Sequence, residues 1–243
     1  MTPIFFKEIN AFFSSLIGYI VISVFLVLMG LILFVFPDTS LLNYPYAGME
    51  QFFAIAPNIF LFLIPAITMR SFAEEYQQGT IELLATKPLK DRSIILGKFW
   101  ACLLLVVFTL LPTLLYYYTI YHLGEPKGNL DSGAILGSYL GLVFLAAAFV
   151  SIGIFASTLT NNQISAFILA TFLCFLLYYG FYFLSSLPML VGKGDDLMEK
   201  IGIDFHYQSI SRGVLDTRDL LYFVSVCIWF LVLSNFVQQK RKW

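Results

Sequence analysis

The chain has 243 residues, of which 59% are apolar and only 12% charged, with a net charge of −1. Soluble domains carry about 25% charged residues, so this much Phe, Leu and Ile calls for lipid as its solvent. A near-zero net charge without a basic stripe argues against a nucleic-acid partner.

Phe5, Ile9, Phe12, Phe13 and Leu16 recur at helical spacing, with Lys7, Glu8, Asn10 and Ser14 between them. This predicts an amphipathic helix over 1–15 lying along the cytoplasmic surface; the alternative is a slanting start to the first span. Leu16–Phe36 is too long for a signal-peptide core, and no small-residue cleavage site follows it. Spans are predicted at Leu16–Phe36, Phe52–Met69, Phe99–Tyr121, Ala134–Leu159, Ile164–Leu184 and Leu220–Val237, each near the roughly 20 residues a bilayer-spanning helix needs. Pro57, Pro65 and Pro112 are expected to bend helices, which neighbouring spans tolerate by satisfying the freed carbonyls. Cys102, Cys174 and Cys227 all fall in apolar runs and read as small packed hydrophobes rather than a disulfide framework or a metal site.

Span four opens with Gly133, Gly137 and Gly141, two overlapping G-x-x-x-G steps, and Gly153 and Ser157 follow four residues apart. Small residues at this spacing let helix backbones approach closely, either within the subunit, the preferred reading, or at a dimer seam. Pro37–Gln51 and His122–Gly133 are short loops rich in turn formers. The stretch 185–219 is longer and mixed, and reads either as two short helices dipping into the outer leaflet or as a surface hairpin.

With both termini inside, nine of the fourteen Lys and Arg fall on inner segments with five acids, leaving five bases and ten acids outside. The excess of inner bases predicts an all-α integral membrane protein of six transmembrane helices, N-in and C-in, forming one domain over 1–243.

The spans as predicted contain no Asp, Glu, Lys or Arg. Ion-coupled carriers keep ionisable groups at depth, so a transporter driven by its own buried carboxylates is disfavoured. The two histidines, His122 and His206, are placed on outer loops as ordinary surface residues, which leaves an intramembrane enzyme no catalytic or metal cluster. No G-x-x-x-x-G-K-[ST] occurs, so no ATP or other cofactor site is predicted in this chain. Work must come from a partner.

The segment 70–98 supplies a place for one. Ser71 is expected to cap a helix whose first turn carries Glu74 and Glu75, where carboxylates suit the positive helix end. Gly79 breaks the chain, Thr80 caps a second short helix, and Pro88 ends it. Ile81, Leu83, Leu84 and Ala85 give that helix an apolar docking face, with Glu82 pointing elsewhere; Lys87, Lys90 and Arg92 follow, and Lys98 stands at the head of span three.

The run Glu74–Lys98 resembles the signature of ABC-2-type permeases, the membrane subunits of ATP-driven exporters. The matching residues are Glu75, Gly79, Thr80, Glu82, Leu83, Leu84, Pro88, Arg92, Gly97 and Lys98. More narrowly, QSISRGVLDTRD at Gln208–Asp219 is similar to permease subunits of the gliding-motility ABC transporters of Bacteroidetes. The resemblance implies a bacterial cytoplasmic (inner) membrane location and two cytoplasmic ABC ATPase subunits docked on a coupling helix around Glu74–Thr86. It also implies a second permease copy or homologous membrane subunit, and a gliding-system membrane protein with an extracytoplasmic domain. Re-entrant helices would correspond to 185–219. The alternative function is a non-transporting membrane anchor that recruits an ATPase.

Overall fold

Helix is the only regular structure among the described residues, which in this computed structural model are 2–41, 48–80, 90–125, 127–188 and 194–241. A backbone in hydrocarbon must satisfy its own polar groups, and helices do so within one segment. Thr2–Ser14 (α1) and Leu16–Phe34 (α2) part at Ser15, whose extended backbone breaks the helix. The Ser15 hydroxyl donates to Phe12 O at 3.0 Å, and the chain turns by 67° between Thr2–Ser14 and Gly18–Phe34.

Glu50–Thr68 (α3) carries Pro57 and Pro65 inside a continuous helix and passes through a turn at Met69 into Arg70–Gln77 (α4). Asp91–Leu110 (α5) runs through a 3-10 turn at Leu111–Thr113, which holds Pro112, into Leu114–Leu123 (α6). Ser132–Leu159 (α7) is the longest helix among the described residues. Gln163–Phe175 (α8) and Phe181–Ser185 (α9) are joined by a π-turn at Leu176–Gly180. Asp195–Ile201 (α10) and Ile203–Ile210 (α11) precede the final helix, Thr217–Arg241 (α12).

Among the described residues five stretches are long and apolar enough to cross a membrane, and the bent α1–α2 pair makes a sixth if it counts as one span. The hub is α7, against which α12, α3, α8 and α5 all pack. Its Phe149, Val150, Ile152 and Ile154 are wholly buried. Two short helices do lie between the fifth and last long helices, and α11 packs inward through Ile203, Tyr207 and Ile210. Tyr207 donates its hydroxyl to Phe53 O at 2.8 Å, and burial pushes its phenol well above the ordinary value.

Three sequence expectations change here. The third long helix begins at Asp91, so Lys98 lies inside it rather than at its head. Ser71 is not a cap: α4 follows α3 after a single turn residue, so Met69 holds the cap position, and Ser71 sits in the helix with its hydroxyl 3.6 Å from the Cys102 sulfur. Neither histidine is on a loop: His122 is exposed in the last turn of α6, and His206 is a partly buried member of α11.

Candidate functional site

The α3–α4 joint is seated on two small residues of α7. A Cβ on Gly153 would collide with the hydroxyl of Thr68, so only glycine lets the end of α3 lie this close. One turn further on, the Ser157 hydroxyl accepts from Phe72 N at 2.9 Å and Ala73 N at 3.0 Å, and donates to Met69 O at 3.0 Å. The first N–H groups of a helix have no partner within it. At α4 a serine from another helix supplies what Ser71 does not.

From this base α4 carries Glu75 against α1 and α5. The Lys98 ammonium, 1% exposed, donates to Glu8 Oε1 of α1 at 2.8 Å and lies 3.0 Å from Glu75 Oε1. Lys7 donates to the same Glu75 oxygen at 3.0 Å from the solvent side. Lys98 also stands over the Phe72 ring, 5.0 Å from its centroid. One buried cation therefore fixes α1 to α4 and α5, which lie far from it in sequence. Glu75, 8% exposed, has its other oxygen buried without a hydrogen-bond partner among the described residues. A cleft of about 310 Å³ opens beside it, lined among others by Lys7, Glu8, Arg70, Glu74, Gln78 and Thr80. Taking charges out of water costs several kcal/mol per ion, so such a cluster is weak evidence of added stability.

The same end is tied a second time. Arg241, in the last turn of α12, donates to Leu159 O and Asn161 Oδ1, both at 2.7 Å, and its guanidinium covers the Tyr76 ring at 4.6 Å.

Among the residues singled out by sequence, Glu75 and Lys98 meet. Glu74 instead pairs with Arg70 at 2.8 Å within α4. Gly79 takes a φ of +69°, a left-handed turn that ends α4's chain direction, and Thr80 donates its hydroxyl to Glu75 O at 3.4 Å. Arg92 is exposed in the first turn of α5. Glu82, Leu83, Leu84 and Pro88, with the short helix Thr80 was expected to cap, lie outside the described residues. The glycine stripe is elsewhere. Gly133 is exposed beside the helix cap Asp131, whereas a Cβ on Gly137 would come within 2.8 Å of Gly213 O and one on Gly141 would strike Ile210.

Glu8 and Lys7 were missed as site residues. The signal was present: Ile4 and Phe12, the buried residues of α1, stand four positions either side of Glu8, which places a carboxylate on the inward line of the helix.

Long apolar helices around a buried hub, with a charged knot at one end, define a multi-pass membrane protein. Residues 39–202 match the family described as ABC-2 family transporter protein, and the chain belongs to that family. It is the membrane permease subunit of an ABC transporter. The matched stretch holds Glu75 and Lys98 but not Lys7 or Glu8. No curated protein matches the chain.

Proposed function

We propose that this permease takes up work from a separate ATPase at the Lys98 knot and uses it to tilt its spans, exporting a substrate. The single observation that carries the reading is that the buried Lys98 joins α1, α4 and α5 through Glu8 and Glu75. A push on the 70–98 segment reaches α5 and the amphipathic α1 directly, and reaches the hub helix α7 through Ser157. The reading places six spans N-in and C-in, with this end in the cytoplasm of a bacterial inner-membrane protein. Two ATPase subunits dock beneath a pair of permeases, the second being a copy or a homologue. Similarity over Gln208–Asp219 supports the gliding-motility type, with a further membrane protein bearing an extracytoplasmic domain as partner.

The test is to purify the assembled complex in lipid with Glu75→Gln. The ATPase should still be carried by the permease while stimulated hydrolysis falls by about tenfold, the effect expected of one lost charge-assisted bond. Undiminished stimulation in an intact complex would remove Glu75 from the coupling route.

A further inference from the structure

The second knot lies at the opposite end of α12. That helix runs from Thr217 to Arg241, and 25 residues at 1.5 Å each span about 38 Å, so its first turn is a bilayer's width from Arg241. There His206 of α11 places Nδ1 2.7 Å from Asp219 Oδ1 of α12 and Nε2 2.9 Å from the carbonyl of Lys200 in α10. Its ring stacks on Tyr222 of α12 at 3.9 Å, and the Tyr222 hydroxyl donates to Ile201 O at the end of α10.

A carboxylate oxygen and a backbone carbonyl can only accept. A neutral imidazole has one N–H, so it can satisfy one of these two contacts and must turn a lone pair toward the other acceptor. The imidazolium satisfies both. Asp219 stands in the first turn of α12, where the positive end of a helix dipole favours a negative group.

We propose that His206 is a pH-operated clamp: as imidazolium it fastens α10 and the first turn of α12 onto α11, and on losing a proton it releases one of them. The part it fastens to is anchored independently. Tyr207 is bonded to Phe53 O in α3, and Ser138 of α7 donates to Ser211 O at 2.9 Å, so α11 stays in place while its neighbours loosen. The other charged groups facing this site are Glu199 and Lys200 from α10, Arg212 from the turn after α11, and Asp216 and Arg218 from the start of α12, all lining one open cavity of about 670 Å³ with His206 and Asp219. Asp216 is committed to Arg218 N at 2.9 Å. The clamp is complete when both ring nitrogens carry a proton and loses one bond when only one does. Under the orientation proposed above, this end faces away from the cytoplasm and tightens when that side is acidified.

The test uses the full chain in lipid nanodiscs carrying His122→Gln, which leaves His206 as its one histidine. Ring-nitrogen NMR should show both nitrogens protonated at pH 5 and one at pH 8. Over the same range, hydrogen-exchange protection of 200–206 and 217–222 should fall by about tenfold, with the α7 core unchanged, as the loss of one charge-assisted hydrogen bond implies. Asp219→Asn lets the neutral ring accept from the new amide and still donate to Lys200 O, so its protection should be flat with pH. Protection in the parent chain that ignores the ring's protonation, or pH dependence that survives Asp219→Asn, overturns the clamp.

Discussion

At one end of the protein Lys98 meets Glu8 across 90 residues of sequence; at the other, His206 meets Asp219 across 13. The first contact joins helices that nothing local holds together, and its cation is almost entirely removed from solvent. The second staples neighbouring elements in the chain, in an open cavity, with a ring that can carry one proton or two. A buried ammonium suits a mechanical joint, because a lysine charge holds at every physiological pH. A ring that can exchange a proton with an open cavity suits a latch. The difference gives each end a distinct way of failing.

The largest effect is expected from removing the permanent cation. Lys98→Ala leaves the buried Glu75 facing the half-buried Glu8, with only the exposed Lys7 beside them, and should lower stability by about 3–5 kcal/mol, read from unfolding in detergent micelles. Adding Glu8→Gln and Glu75→Gln to Lys98→Met should recover most of that stability without recovering stimulated ATP hydrolysis. Such a split would separate register from folding energy. His206→Ala, by contrast, should cost far less, since its ring is partly solvated.

The seat of the lever comes next. Gly153→Ala drives a methyl into Thr68 and should cost about 1–3 kcal/mol, with α4 displaced. Ser157→Ala keeps the shape but leaves Phe72 N and Ala73 N without their acceptor, costing about 1–3 kcal/mol. Hydrogen exchange should rise at those two amides while the 217–222 turn is untouched. The smallest effect falls on Gly79→Ala: the site is open, so only the left-handed backbone resists, at about 1 kcal/mol. A large loss there would mean that the turn after α4 bears on the knot more heavily than its exposure indicates.

The helical class and the approximate place of each long helix were legible because lipid forces apolar runs of a fixed length; over 185–219 short helices and a hairpin read alike, and only the structure shows the helices α10 and α11. The inward role of Lys98 was not, because the apolar run begins at Phe99 while the helix begins at Asp91: hydropathy marks where lipid starts, not where helix starts. Ser71 was misread for a related reason. The residue sits where a cap belongs if α4 starts afresh, but the chain enters from α3 and a serine 86 positions away, Ser157, takes the cap's work. Spacing rules see only local partners. Gly137 and Gly141 announced a close approach, yet what approaches is the α11 end and its following turn rather than another long helix. The carboxylate of Glu8 could have been placed from the Ile4, Glu8, Phe12 line, which is short-range and helical.

The central claim is that Glu8, Lys98 and Glu75 act as one unit in passing work between helices. The most direct measurement is a double-mutant cycle on permease-stimulated ATP hydrolysis of the assembled complex, with Glu8→Gln, Glu75→Gln and the pair together, at saturating ATP. If the three residues form one joint, the two changes share their effect and the interaction term is about 1–3 kcal/mol. Strictly additive losses, with the complex intact, would show that α1 and α4 act on α5 independently and would contradict the account.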